Sequence, residues 1–434
     1  MKKRFFSLCL VLLLLASCLL AFSSCSEEEL PTRTLHVYNW GQYISDGSYD
    51  LPDVNALFEE YFNEQLAEKY GYRIEVNYST YPSNEDMYNK IASGSGSFDV
   101  IVPSEYMIEK MISENLLLEL DFSKITNYEY IAEEFRTDFN TYDPEGKYTV
   151  PYTYGTVGII YNTDYVDEED IGSWDLLWNE KYSGKILQFN NSRDALATAL
   201  YRLGYSVNTT DHTKWAEATE LLKQQKPLVQ AYVMDEIFNK MISGSAWIAP
   251  YYAGDFLTMY DSNDSLAFYT PKEGTNIFVD AMCVPTCARQ VDAAMEYINF
   301  MLSEEPALAN AEYLGYSCPN TLVTESEEYQ EYMLDWHEES LDILYSKSLV
   351  VDDYTDLKDI NAENKRSFFH AISNTEENGN LLDYTNSLWA EIKIESSIEP
   401  WIIVTDIVIL ALLFAWWLSS FLRKRAREKS YTQK

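Results

Sequence analysis

The stretch that most constrains this chain is LHVYNWGQYI, Leu35 to Ile44, together with the residues up to Tyr78. Leu35 to Tyr38 reads as a short buried strand. Asn55 to Tyr70 then repeats apolar residues at helical spacing, and Tyr72 to Tyr78 returns to a strand pattern. A strand, a helix and a second strand in succession form a β-α-β unit, whose strands lie parallel with the helix covering one face. The chain is thereby committed to the α/β class. Open sheets of that class place ligands beyond the carboxyl ends of their strands, where Asn39, Trp40 and Tyr43 fall. A Trp and a Tyr at that position either offer flat apolar faces to a ligand or cap a core, and the decapeptide leaves both readings open.

The same punctuation continues downstream. STYPSNEDM, Ser79 to Met87, is turn-rich; a helix to Ile91 and an SGSGS turn lead to a strand at Phe98 to Val102 that ends in PSEY. Ser104, Glu105 and Tyr106 therefore stand where a second parallel strand gives out, a place for ligand contact, although Ser104 equally suits a helix cap. YTVPYTYGTVGIIYN, Tyr148 to Asn162, reads as a β-type run interrupted by Pro151 and Gly155, and as the crossing from a first lobe into a second. A helix around Leu176 to Trp178 and a strand at Ile186 to Phe189 follow. Asn191 and Asp194 then lie on neighbouring faces at the start of the next helix, as caps or as ligand contacts. Trp215 to Gln225 and Tyr232 to Ser243 are predicted helical, and Ala246 to Tyr251 is predicted to be a strand carrying aromatic residues to its end. The return strand, Asn276 to Val284, holds Phe278 and Asp280. An acid inside an apolar strand is costly unless paired, so Asp280 is the best candidate for gripping a cationic group. Pairing with an arginine or with backbone amides is the alternative.

A chain of 434 residues exceeds one typical domain of about 150 residues and suggests two lobes. Its net charge of -37 argues against nucleic acid, which requires basic surface. That balance fits a cationic ligand or simply an acidic solvated surface. Thirty-five tyrosines suit the lining of a cleft as well as the filling of sheet faces. No phosphate loop, G-x-S-x-G or H-E-x-x-H motif occurs, and the four histidines are scattered, so a binding function is expected rather than an enzyme. No cofactor and no metal site is expected: Cys283 and Cys287 are four apart without further ligands beside them. With Cys318 they make an odd set in the body, expected as buried thiols, with one disulfide open.

Both ends carry membrane signals. Residues 1–25 have a basic start and an apolar run, an export leader in which Cys18 or Cys25 is a candidate for lipidation. Trp401 to Leu422 is apolar apart from Asp406 and is followed by the basic tail 423–434. Roughly 20 apolar residues span a bilayer, and basic flanks stay in the cytoplasm. A C-terminal transmembrane helix is thus expected, with the body outside the cell and the tail inside.

The segments YNWGQYI, STYPSNEDMYNKI, FDVIVPSEYMIEKM, YTVPYTYGTVGIIYN, SWDLLW, LGYSVNTTD, PKEG and LGYSCPN together resemble the spermidine/putrescine-binding family of ABC-transporter substrate-binding proteins, from about Leu35 to Asn320. The resemblance implies a bilobal, type II periplasmic-binding-protein-like α/β fold with a cleft that closes on its ligand. On that basis 35–150 is the first part of lobe 1, 151–275 is lobe 2, and 276–322 is the return to lobe 1 with the hinge region. Residues 323–399 are an acidic helical segment completing the body.

Carried over position by position, the resemblance places Trp40, Tyr43, Ser104, Tyr106, Tyr251, Phe278, Asp280 and Tyr316 in the cleft. Glu105 stands where the family pattern has an uncharged residue, and Phe278 replaces a tryptophan. Asn191 and Asp194 stand in place of an aspartate and a glutamate, so one charge is lost and one shortened. Trp40 and Tyr43 are expected on the first lobe's side, facing Asp280 and the later aromatics. The implied function is capture of putrescine or spermidine and delivery to a membrane permease driven by a cytoplasmic ATPase. A membrane-anchored receptor for another cationic solute, without transport, is the alternative.

Overall fold

The structure, a computed structural model, describes residues 30–137, 140–345, 366–372 and 380–394, with the single positions 408 and 414. The leader with Cys18 and Cys25, the basic tail and all but those two positions of the 401–422 stretch lie outside the described residues. Among the described residues no helix is long and apolar enough to cross a membrane.

Strand β1, Thr32–Trp40, runs parallel to β2, Arg73–Tyr81, on one side and to β3, Val100–Ile101, on the other. The crossover between β1 and β2 is the expected helix, Val54–Tyr61, but its middle turn widens to π geometry at Phe62–Leu66 before closing at Ala67–Tyr70. Phe58 and Phe62 are fully buried on its inner face. Gly71 ends it in the left-handed conformation at φ 75°, which glycine adopts without steric cost.

β4, Val150–Asn162, then runs 13 residues without a break. The interruption expected at Pro151 and Gly155 is only a register shift between Pro151 and Thr153. At Gly155 the strand needs a missing side chain, because an added Cβ would lie 2.8 Å from the Phe278 ring. The second sheet runs β10-β9-β4-β7-β5-β6, with β8, Leu266–Tyr269, also on β4. Its members are β5, Ile186–Phe189; β6, Val229–Val233; β7, Ile248–Tyr252; β9, Thr275–Met282; and β10, Arg366–Ser367. β6 occupies part of the segment expected to be helical from Tyr232: the helix begins only at Glu236 and ends at Ile242. Parallel pairing with β5 outweighs the apolar spacing that suggested a helix.

Two long strands, β4 and β9, form the middle of the second sheet, and β9 joins it to the first. The first half of β4 pairs antiparallel with β9, and the far half pairs with β7 and β8. β9 in turn meets the first sheet through bridges from Ile101 to Cys283 and from Ser104 to Asp280. Every residue of β9 is buried. Cys283 and Cys318 are buried free thiols and Cys287 is a half-buried one.

Candidate ligand-binding cleft

Asp280 occupies the junction of the two sheets. Its strand neighbours are Thr153 on β4 and, through an isolated bridge, Ser104 beyond β3. Oδ2 accepts a hydrogen bond of 2.6 Å from the Tyr43 hydroxyl, whose oxygen also lies 2.7 Å from Thr153 Oγ1. The partner is thus a phenol, neither an arginine nor a backbone amide. Asp280 is only 4% exposed, and among the described residues its Oδ1 has no hydrogen-bond partner. Burial raises the carboxyl to about 6, opposed by the nearby Ser104 and Tyr43 hydroxyls. An uncommitted, desolvated carboxylate oxygen is a strong demand for a donor.

The second carboxyl comes from the helix that follows β5, farther along the sheet that contains β9. Asn191 caps helix Ser192–Leu203, its Oδ1 accepting from the amides of Arg193 at 2.9 Å and Asp194 at 3.4 Å. Its Nδ2 donates to Asp194 Oδ2 at 2.6 Å, and the Tyr252 hydroxyl donates to the same oxygen at 2.9 Å. Capping and cleft lining therefore coincide at Asn191, which holds Asp194 in place. Burial raises Asp194 to about 7, with Tyr252 and Arg193 opposing the shift.

A third carboxyl, Asp255, is absent from the sequence expectations. It lies in the first turn of helix Ala253–Ser262, accepts from the Tyr316 hydroxyl at 2.8 Å, and is raised by burial to about 7. Its signal was an acid three residues beyond Tyr252, obscured because Gly254 weakens the helical pattern. Gly254 is required there: a Cβ would meet the Tyr316 ring at 2.5 Å.

Aromatic rings close the walls. Trp40 is held by a bond from Nε1 to the Val102 carbonyl at 3.0 Å and packs on Tyr81. Tyr43 meets Tyr316 edge-on at 5.7 Å, and Phe278 meets Tyr252 at 5.4 Å and Tyr316 at 6.0 Å. Tyr251 is buried, stacked on Phe189. Its neighbour Tyr252, which sequence reasoning did not select, carries the polar contact to Asp194. The Tyr106 hydroxyl receives the Asn84 amide at 3.1 Å and donates to Glu85 at 3.1 Å.

All eleven residues expected in the cleft, Trp40, Tyr43, Ser104, Glu105, Tyr106, Asn191, Asp194, Tyr251, Phe278, Asp280 and Tyr316, line one cavity of about 330 Å³. Its described lining contains no lysine, arginine or histidine. Glu105 differs from the other acids, for both of its oxygens are engaged by backbone amides, those of Val279 at 3.1 Å and Phe369 at 3.3 Å. Phe369 belongs to the 323–399 segment, whose contacts the linear chain does not reveal.

Residues 61–334 match the family model described as bacterial extracellular solute-binding protein. The spermidine/putrescine-binding periplasmic protein of Salmonella typhimurium is 33% identical over 308 residues, covering 71% of this chain and 83% of that protein. The putrescine-binding periplasmic protein of Escherichia coli is 28% identical, covering 67% of this chain and 79% of its own length. Among solved structures, the spermidine/putrescine ABC transporter substrate-binding protein of Streptococcus pneumoniae superposes with a TM-score of 0.60 at 33% identity, covering 83% of this chain and 99% of that one. Two sheets joined through β9, a carboxylate-lined cavity at their junction and this extent of similarity lead to one conclusion: the chain belongs, with the spermidine/putrescine-binding proteins, to the family of bacterial extracellular solute-binding proteins.

Proposed function

We propose that this protein is the extracellular solute-binding component of an ABC importer and that it captures a linear polyamine, putrescine or spermidine, for delivery to a membrane permease. The observation that carries the reading is Asp280: a buried carboxylate oxygen with no hydrogen-bond partner among the described residues, in the lining of a cavity walled by aromatic rings. A primary ammonium supplies the donors that oxygen lacks, and the faces of Tyr, Trp and Phe rings accept both methylene groups and cationic charge. Asp194 and Asp255 stand ready for further amines. At ~30 Å³ per water-sized group, the cavity of about 330 Å³ has room for the ten non-hydrogen atoms of spermidine. Putrescine, with six, leaves space for bridging water.

The ends of the chain complete this reading. The leader directs the body outward, with Cys18 or Cys25 as a lipid attachment point. The apolar stretch Trp401 to Leu422 reaches the roughly 20 residues a bilayer requires. It tethers the body beside its permease and associated ATPase, leaving the basic tail in the cytoplasm.

Calorimetry on the full chain with putrescine, spermidine and a neutral amino acid tests the ligand. Both amines should bind and the amino acid should not. Absence of binding to either amine at about 100 μM, a free energy of about -5.5 kcal/mol, would remove polyamines as the ligand class.

A further inference from the structure

The carboxylate of Glu105 lines the cavity, yet each of its oxygens is already engaged by a backbone amide. Glu105 is 1% exposed and opens helix Glu105–Ser113. Its Oε2 accepts from Val279 N on β9 and its Oε1 from Phe369 N, three residues beyond Arg366, where β10 begins. One turn later on the same helix, Glu109 accepts from Ala371 N at 2.7 Å. Residues 369 and 371 are thus tied to the helix that follows β3.

The opposite side of this short segment is bound to the helix that follows β5 and to the turn after that helix. Tyr201 and Ser367 hydroxyls lie 2.8 Å apart, Asn208 donates to the Phe368 carbonyl at 2.8 Å, and the Arg193 guanidinium donates to the His370 carbonyl at 3.1 Å. Residues 367–371 consequently form a strap fastened both to the helix that follows β3 and to the helix that follows β5, beside β9. The Phe369 ring is clamped between them: it meets Tyr106 edge-on at 6.2 Å, has the Arg193 guanidinium 4.6 Å over its face, and lines the cavity.

We propose that Glu105 is a positioning residue that acts through Phe369: by holding the Val279 and Phe369 amides on one carboxylate, it locks the strap into the cleft wall and thereby sets the affinity of the cleft for its ligand. Alone among side chains, a carboxylate presents two acceptors side by side with no donor. Glutamine in its place turns an NH₂ toward one of the two amides, and alanine leaves both amides buried without an acceptor. The ligand part of this proposal rests on the polyamine reading, whereas the strap part does not.

The test uses the full chain in both respects. In ligand-free protein, hydrogen exchange of the peptide spanning 366–372 should quicken at least about tenfold in Glu105→Ala, with Glu105→Gln intermediate. Unchanged exchange in both would overturn the proposal whether or not any amine binds. Calorimetry with putrescine and spermidine then compares Glu105→Gln, Phe369→Ala and the double variant. If Glu105 works through Phe369, each single change weakens binding and the double variant binds no more than about twofold worse than Phe369→Ala. Fully multiplicative losses would overturn the link to Phe369. Failure of the wild-type chain to bind either amine would refute the polyamine reading, leaving the exchange experiment to decide the strap.

Discussion

The Tyr43 hydroxyl donates to Asp280 Oδ2 at 2.6 Å, so a residue from the loop after the first strand and an acid from the last crossing strand act as one unit. They do not face each other across the cleft, as their places in the chain suggested. Tyr43 fixes one oxygen of the carboxylate and leaves the other for a ligand. Asp280→Asn should therefore weaken polyamine binding by more than about tenfold, since charge and acceptor capacity are lost together. Tyr43→Phe should weaken it by about 1.5 kcal/mol, the scale of a hydrogen bond to a charged group. Calorimetry on both variants, with melting curves as a control for folding, checks this pair. Unchanged affinity in Asp280→Asn would remove Asp280 from its assigned role.

Ligand binding should release protons. Asp280 is raised by burial to about 6, and Asp194 and Asp255 to about 7, all above the ordinary 3.8. Between about pH 4 and 7 the folded, ligand-free protein retains protons on these groups that the unfolded chain has lost. Their contribution therefore destabilises the fold progressively as pH rises through that window. A bound ammonium favours the ionised carboxylates, so affinity for putrescine should fall at least about tenfold from pH 7.5 to 5.5. Calorimetry near pH 6 in two buffers of different ionisation enthalpy reads the released protons directly. A heat independent of buffer would mean that the carboxyls are already ionised before the ligand arrives.

Gly254→Ala should damage the site from behind. The new methyl group would stand 2.5 Å from the Tyr316 ring and push it off Asp255. Overpacking of this kind costs about 1–3 kcal/mol. The expected result is a lower melting temperature together with weaker amine binding. A variant with wild-type values for both would show that the ring shifts without consequence.

The three body thiols should differ in reactivity. Burial pushes Cys318 up to about 12 and raises Cys283 well above its ordinary value, whereas Cys287 is half-buried. Thiolates rather than thiols react, so peptide mapping after brief alkylation of the native protein should find Cys287 labelled first. Cys283 and Cys318 should be labelled only once the chain is unfolded. Early labelling of Cys318 would indicate that the region behind Tyr316 opens readily.

By itself, the amino-acid sequence determined the class of fold and named part of the cavity wall, leaving out Tyr252, Asp255 and Phe369. Strand and helix periods between Leu35 and Tyr78 dictate a parallel β-α-β unit. An acid within the apolar run around Asp280 announces a buried charge that needs a partner. Residues placed at or just past strand ends, such as Trp40, Ser104 and Tyr106, line the cavity for the same reason, since α/β topology delivers strand ends to one edge. Only the tertiary structure decided which groups are partners. Sequence spacing says nothing of contacts 237 residues apart, such as Tyr43 with Asp280, nor of contacts 264 apart, such as Glu105 with Phe369. Burial, too, is a property of the assembled fold. Both Asp280 and Glu105 are buried, and hydrogen bonding then separates Asp280, with an oxygen left open among the described residues, from Glu105, whose oxygens are both engaged, although each is one acid beside an apolar run in the linear chain.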